Sequence, residues 1–150
     1  MAGLNVADGI IVDEFLQSSD TNIFAAGDNA FFPYAMLGRS TRVEHWDNAS
    51  NQGRFAGLNM AGAREPYNYA PYFFSDLFEF GYEAVGDIDA RLETVADWKK
   101  ENETGVVYYM KDAKVRGAMM VNVWDKVDAA RELIRAGKSV TAKDLAGAIR

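Results

Sequence analysis

The pattern of hydrophobic and polar positions changes near the middle of the chain. Before Pro66, apolar residues occur in short continuous runs, which are typical of buried strands. After Pro71, apolar and polar residues alternate, which is typical of strands with one buried face. The stretch between these two prolines follows neither pattern. The sequence therefore predicts a boundary here, between a unit of residues 1–65 and a unit of residues 66–150.

The first unit is predicted to contain two short strands and one helix. Residues 9–13 and 22–26 are the apolar runs, with turn residues between them, and residues 47–60 follow a helical pattern. Small side chains share one face of this helix, with one longer residue at the end: Ala49, Gly53, Ala56, Gly57 and Met60. A face with so little bulk indicates either tight packing on another element or close approach to a cofactor, and the spacing alone leaves both open.

The second unit is predicted to be α+β, with an antiparallel sheet followed by two helices. Four alternating runs supply the strands, at residues 82–85, 93–98, 106–110 and 118–123. The polar residues 111–114 favour a hairpin between the last two strands.

The two helices of this unit carry end signals. The first is predicted from about Lys126 to Ala136, with Gly137 as its C-cap. The second begins at Thr141, whose spacing from Asp144 is that of a capping box. Leu145 and Ile149 are predicted to face inward.

Composition removes several classes of function. Cysteine is absent, so disulfides and a redox-active cysteine pair are excluded, and any redox chemistry must belong to a bound cofactor. The net charge of −6, without a lysine or arginine cluster, argues against nucleic acid as a partner. A single histidine, His45, leaves too few imidazoles for a typical zinc site or a catalytic triad, so no metal site is predicted.

The sequence also predicts a soluble, cytoplasmic protein. No apolar run approaches the roughly 20 residues that span a bilayer. The first five residues lack the charged region and apolar stretch of a signal peptide.

Candidate chemistry lies at Gly27 and Asp28, directly after the apolar run 22–26. Glycine lets the backbone approach a ligand closely, and a carboxylate accepts hydrogen bonds from the hydroxyls of a sugar-like chain. An open parallel sheet presents such a carboxylate at the carboxyl ends of its strands. Gly-Asp also ends many strands simply as a turn, and taken alone the dipeptide favours the turn.

Five segments follow one another in a characteristic order. They are residues 9–13 (GIIVD), 19–28 (SDTNIFAAGD), 42–49 (RVEHWDNA), 53–62 (GRFAGLNMAG) and 72–83 (YFFSDL leading to GYE). Through them the chain resembles the FAD-dependent pyridine nucleotide-disulfide oxidoreductases. The resemblance is to the branch of bacterial ferredoxin reductases, rubredoxin reductases and oxidoreductases of the apoptosis-inducing factor type. It is strong over about the first 86 residues.

The resemblance implies a set of cofactor contacts and no catalytic residue. The implied contacts are Gly27, Asp28, Glu44, His45, Trp46, Ala49 and Phe74. Asp28 would hydrogen-bond the ribityl chain of FAD, with Gly27 clearing the space. The segment around His45 would run beside the isoalloxazine ring, and the following helix would direct its N-terminal amides at the flavin. His45 is expected to contact and tune the cofactor, because hydride transfer needs alignment and not a protein acid.

Phe74 matches an aromatic position that shields the flavin or nicotinamide side of the site in this branch. Related enzymes often have tryptophan there, and phenylalanine offers a smaller stacking surface without the indole N–H. A core role for Phe73 and Phe74 fits the sequence equally well.

The chain departs from the family in one respect, since it contains no Gly-x-Gly-x-x-Gly motif for the dinucleotide phosphates. In the intact enzymes those loops lie upstream. Residues 1–65 are therefore expected to be the closing strands and last helix of an FAD-binding domain, and residues 66–150 a C-terminal interface domain. Alone, the chain is expected to bind FAD weakly and to be inactive.

The implied function of the intact enzyme is electron transfer from NAD(P)H through FAD to an acceptor of the ferredoxin or rubredoxin type. An apolar edge around residues 10–12 and 23–26 is expected to lack its neighbouring strands, which predicts rearrangement, swapping or burial in a dimer there. A homo-oligomer is expected. The alternative is a non-catalytic dimerisation or docking module. Its surface would come from Tyr108, Met110, Met119 and Trp124.

Overall fold

A computed structural model describes residues 2–149, which form two compact units, the first ending at Tyr69 and the second beginning at Ala70. The first unit contains β1 (Ile10–Ile11), β2 (Ala30–Tyr34), β3 (Arg39–Thr41) and α1 (Trp46–Met60). The second unit contains β4 (Tyr72–Leu77), β5 (Phe80–Gly86), β6 (Glu93–Lys100), β7 (Thr104–Lys111), β8 (Lys114–Val121), α2 (Val127–Ala136) and α3 (Ala142–Leu145). None of the helices within residues 2–149 has the length and apolarity needed to cross a membrane.

The sheet of the first unit has the order β1-β2-β3, with β1 parallel and β3 antiparallel to β2. Of the strand predicted at residues 9–13, only the two residues of β1 form a strand. The predicted strand 22–26 is wrong, because the chain turns back on itself there. The Ser18 N–H donates to the Ile23 carbonyl at 2.9 Å, and Phe24 forms only an isolated bridge with Gln17.

Strands β2 and β3 were missed by the sequence analysis because Pro33 lies in the middle of β2 and a short 3-10 turn separates the two strands. A proline within an apolar run argues against a strand unless the strand lies beside a bulge or an edge. The apolar edge predicted around residues 10–12 and 23–26 is covered only in part. Val12 and Ala25 are buried, Ile11 is exposed, and the other four residues are half-buried.

Helix α1 confirms the predicted helix, but its inner face is polar. Asn48, Gln52 and Asn59 are buried on one side together with Ala56. The Asn59 amide donates to the carbonyls of Phe15 and Glu65 at 2.8 and 2.9 Å, so the helix is docked through side-chain amides as well as through apolar contact.

The predicted face of small residues is divided between two sides of α1. A Cβ added to Gly53 or Gly57 would have no atom within 4 Å, and Met60 is exposed. Ala56 is buried on the inner face, and Ala49 packs close to Gly27. Tight packing is therefore found at Ala49 and Ala56, and the face at Gly53 and Gly57 is open.

The second unit is a five-stranded antiparallel sheet in the order β4-β5-β8-β7-β6. All four predicted strands are confirmed, and β4 joins them at one edge. The predicted hairpin is also confirmed, because Lys111 pairs with Lys114. Asp112 and Ala113 between them both have positive φ, as in the turns that match the twist of a two-residue hairpin.

Both helix predictions in this unit are confirmed. Helix α2 ends at Gly137 with φ of 55°, and Thr141 and Asp144 form the capping box of α3. Leu145 and Ile149 are buried. The Tyr108 hydroxyl donates to the Leu145 carbonyl at 3.3 Å, which fixes α3 on the sheet.

Asn122 ties together one end of this sheet, which we call the hairpin end and define as residues 76–81, 99–104 and 122–125. The Asn122 amide nitrogen donates to the carbonyls of Glu79 and Glu103 at 3.0 and 2.9 Å, and its oxygen accepts from the Gly81 N–H at 3.0 Å. One side chain therefore holds the β4–β5 turn, the β6–β7 turn and the end of β8.

Gly117 on β8 provides a stability test with a matched control. A Cβ at Gly117 would lie 2.4 Å from the Asp87 carbonyl oxygen, so Gly117→Ala is expected to lower the free energy of unfolding by about 1–3 kcal/mol through overpacking. Gly53→Ala, on the open face of α1, is expected to raise it by roughly 0.5–1 kcal/mol. Urea unfolding of both variants checks this. Equal effects of the two substitutions would contradict the packing described here.

Glu83 on β5 provides a test of pH dependence. Burial raises the pKa of this carboxyl, as do the charges of Asp125 and Asp76, while the N–H groups of Asp125 and Lys126 lower it. A carboxyl whose pKa is higher in the folded state makes the protein lose stability as pH rises through that pKa. Glu83→Gln is therefore expected to stabilise the protein at pH 7. The gain should vanish below the ordinary glutamate pKa of about 4.3. Thermal unfolding from pH 4 to pH 8 would show this, and a gain that is constant across the range would contradict it.

Candidate functional site

Gly27 and Asp28 lie in a 3-10 turn (Gly27–Asn29) that is pinned to helix α1. The Gly27 N–H donates to the Gln52 side-chain oxygen at 2.7 Å, in a buried contact. Gly27 has φ of +76°, and a Cβ there would lie 3.2 Å from the Ala49 Cβ. The positive φ would strain any other residue at this position, and a Cβ would in addition have to displace Ala49 by a few tenths of an ångström. Asp28 itself is exposed, so its carboxylate is open to a ligand.

Arg42 connects the turn to the segment that precedes α1. Its guanidinium donates to the Asp28 carbonyl at 2.9 Å and to the Glu44 carboxylate, and it approaches Asp8 at 3.4 Å. The hydrogen bond to Glu44 and the charge of Asp8 hold the pKa of Arg42 above its ordinary value. The sequence analysis did not single out Arg42, although it opens the motif of residues 42–49.

His45 is the N-cap of α1. Its Nδ1 accepts the Asp47 N–H at 3.4 Å, so this ring nitrogen satisfies one of the unpaired donors at the start of the helix. Trp46 follows as the first helical residue and is 69% exposed. The implied contact of His45 with a cofactor stays a prediction.

Asp47 and Asn48 are buried polar residues beside the predicted contacts, and the sequence analysis did not name them among those contacts. The Asp47 carboxylate is buried in the first turn of α1, where the helix dipole favours negative charge, and it accepts from the Tyr69 hydroxyl at 3.0 Å. Asn48 is completely buried. It donates to the Val43 carbonyl at 3.1 Å and accepts from the Tyr67 hydroxyl at 3.1 Å.

Tyr67 lies in the stretch for which the sequence gave no pattern. Its ring packs edge-on against Phe32 and Phe55, with centroids 5.5 and 5.3 Å away. Its N–H donates to the Glu14 carbonyl at 2.7 Å. The signal that could have identified it is a tyrosine directly after a proline, shortly after a helix that carries Asn48, Asn51 and Gln52 in its first two turns.

An open depression of about 410 Å³ lies beside Asp28, between Asp8, Gly9 and Arg42. Its carboxylates and guanidinium suit the hydroxyls of a polyol. Asp28 lines this depression, whereas Gly27 is buried and does not line it, and the contact of both residues with the ribityl chain of FAD stays a prediction. The sequence contains no glycine-rich loop for the pyrophosphate.

The structure brings six of the seven predicted contacts together in the first unit: Gly27, Asp28, Glu44, His45, Trp46 and Ala49. Phe74 belongs to the second unit, where it is 41% exposed and lies opposite Glu83 in the sheet. No group of three metal-ligating side chains occurs within residues 2–149.

Tyr67 provides a test of how the site is held. Tyr67→Phe keeps the ring but leaves the buried Asn48 oxygen without its donor, so we expect a loss of about 1–3 kcal/mol in the free energy of unfolding. Tyr69→Phe is the matched control and is expected to cost less, because Asp47 also accepts from Asn51 at 3.2 Å. Urea unfolding measures both, and a larger loss for Tyr69→Phe would contradict this assignment.

Comparisons with known proteins show which family the chain belongs to. Residues 56–104 and 96–136 match the model described as apoptosis-inducing factor, mitochondrion-associated, C-term. Residues 1–53 match pyridine nucleotide-disulphide oxidoreductase.

Similar proteins include apoptosis-inducing factor 1, mitochondrial, from Dictyostelium discoideum. It is 38% identical over 91% of this chain and 27% of its own length. The ferredoxin–NAD(+) reductase component of the anthranilate 1,2-dioxygenase system from Burkholderia cepacia is 34% identical over 97% of this chain and 36% of its own. The chain thus spans about a third of the length of these relatives.

A solved structure is similar over the same extent. The ferredoxin reductase for the CYP199A2 system from Rhodopseudomonas palustris has a TM-score of 0.83 and 32% identity over 97% of this chain and 36% of its own. The chain belongs to the pyridine nucleotide-disulphide oxidoreductases, in the group that carries the C-terminal domain of apoptosis-inducing factor.

Proposed function

We propose that this chain supplies part of the flavin site of an oxidoreductase that passes electrons from NAD(P)H through FAD to an acceptor of the ferredoxin or rubredoxin type. The observation that carries the proposal is the docking of the Gly27–Asp28 turn on the first turns of α1, through Gln52 and Ala49. This contact joins an exposed carboxylate to a helix N-terminus although the two are about 20 residues apart in sequence.

Each residue has a role in this proposal. Asp28 accepts hydrogen bonds from the ribityl hydroxyls, and Gly27, which packs closely on Ala49, holds Asp28 in place. The first N–H groups of α1 favour negative charge near the flavin, while the Asp47 carboxylate in the same turn reduces that effect. Trp46 offers an exposed aromatic surface beside them. Bound FAD would accept hydride from the nicotinamide and release electrons to the acceptor.

The assignment of the two units follows the same reasoning. Residues 1–65 form the closing part of an FAD-binding domain, and residues 66–150 a C-terminal interface domain that carries Phe74. A protein partner is supported by a similar protein, a 28% identical putidaredoxin reductase whose crystal structure is a covalent complex with putidaredoxin. Homo-oligomerisation stays a prediction. A cytoplasmic location also stays a prediction, because one similar protein is a mitochondrial apoptosis-inducing factor.

Asp28 is tested in a chimera. This chain replaces the matching third of the Rhodopseudomonas ferredoxin reductase, and the flavin content of the purified protein is measured by absorbance. Asp28→Ala is expected to weaken FAD binding about tenfold or more, because a charged hydrogen-bond acceptor is lost. Asp20→Ala, an exposed carboxylate in a neighbouring turn, is the control. Equal flavin affinity in both variants would contradict the role of Asp28.

The chain without added segments is tested by FAD titration. Because it lacks a phosphate loop, we expect a dissociation constant weaker than micromolar. Flavin fluorescence and calorimetry would measure it. Micromolar or tighter binding would overturn the view that the phosphate loops are essential.

A further inference from the structure

Arg42 joins three segments of the first unit that are far apart in sequence. Its guanidinium donates to the backbone carbonyl of Asp28 at 2.9 Å and to the Glu44 carboxylate, and it lies 3.4 Å from the Asp8 carboxylate. Asp8 precedes β1, Asp28 precedes β2 and Glu44 precedes α1. One side chain therefore fixes the relative positions of three connecting segments.

The stem of Arg42 is held as firmly as its guanidinium. The side chain is 26% exposed, and its Cδ lies so close to Gly9 that a Cβ added there would be 2.9 Å away. The same Cβ would lie 2.9 Å from the Asn29 carbonyl oxygen. The backbone of Gly9 and Asn29 thus leaves the Arg42 side chain a narrow channel, which restricts the direction from which the guanidinium approaches Asp28.

Stability alone does not explain this arrangement. The Asp8 and Glu44 side chains are 72% and 61% exposed, and ion pairs with such exposed carboxylates contribute little to the free energy of folding. The bond to Asp28 is of a different kind, because it is made to the backbone carbonyl and not to the carboxylate. It restrains the turn and does not occupy the group that the proposed ligand needs.

The turn is restrained on both sides of Asp28. Gln52 accepts the Gly27 N–H at 2.7 Å, and Arg42 donates to the Asp28 carbonyl. These two bonds hold the backbone before and after the Cα atoms of Gly27 and Asp28. A carboxylate on a backbone that is already ordered loses less conformational entropy when a ligand binds, so its contacts yield more affinity.

We infer that Arg42 is a positioning residue for Asp28, whose backbone it fixes so that the carboxylate meets the ribityl hydroxyls of FAD. The inference rests on the proposed function, because it concerns the same site. It adds a residue outside the seven predicted cofactor contacts. Arg42 acts through Asp28, so removing it matters only while the Asp28 carboxylate is present.

A double-mutant cycle tests this dependence. It uses the chimera with the Rhodopseudomonas ferredoxin reductase, and FAD dissociation constants are measured by flavin fluorescence. Arg42→Gln is expected to weaken FAD binding about fivefold, because the carboxylate remains but is held less firmly. In the Asp28→Ala background, the same substitution is expected to change the affinity less than about twofold, because the group that it positions is absent.

Two further variants separate positioning from charge. Arg42→Lys keeps the positive charge, but an ammonium lacks the planar fork that serves a carbonyl and two carboxylates together, so most of the loss should remain. Arg39→Gln removes an exposed arginine of β3, an equal change in charge, and should leave FAD binding unchanged. Thermal unfolding of the full chain is the check on folding, and Arg42→Lys replaces Arg42→Gln in the cycle if the latter does not fold.

The outcomes also separate this inference from the proposed function. If Asp28→Ala binds FAD as tightly as the parent chimera, the proposed role of Asp28 fails and the inference fails with it. If Asp28→Ala weakens binding and Arg42→Gln does not, the inference alone fails. Equal losses from Arg42→Gln with and without Asp28 would show an effect on the fold, and full rescue by Arg42→Lys an effect of charge. Either result would overturn the positioning role.

Discussion

The buried amide of Asn48 is the interaction on which the candidate site depends. It links the carbonyl of Val43, just before α1, to the hydroxyl of Tyr67, which is held between two aromatic rings. If this amide lost either partner, a polar group would be left unpaired in a fully buried position, which is costly in a medium without water. The start of α1 and the end of the first unit are therefore positioned by the same side chain.

The site is consequently held by hydrogen bonds more than by apolar contact. Gln52 binds the Gly27 turn, and Asn59 binds two loops near the other end of the helix. Because these amides need specific backbone partners, the helix cannot slide along its axis without breaking several bonds at once. Apolar packing alone would tolerate such a shift, since it has no preferred direction. This precision suits the role proposed for the helix, whose N-terminus would face a charged cofactor.

The two units differ in how well their sequences predict them. In the second unit, alternation, the Asp112–Ala113 turn and the capping box at Thr141 all act locally, so strands β5 to β8 and both helices were predicted. In the first unit, helix α1 was predicted, but its inner face is polar, so hydrophobic periodicity could not show which face is buried. The cluster of Gly27, Asp28 and residues 44–49 was reached through resemblance to a family. The roles of Arg42, Asp47 and Tyr67 depend on contacts between distant segments, which local patterns do not encode.

The Asn122 clamp has a consequence for local opening of the second unit. Because one side chain fixes both turns and the end of β8, opening either turn breaks hydrogen bonds of the same amide group. Segments that are held in this way open together as one cooperative unit. The hairpin end is therefore coupled through a single side chain, although its three segments are far apart in sequence.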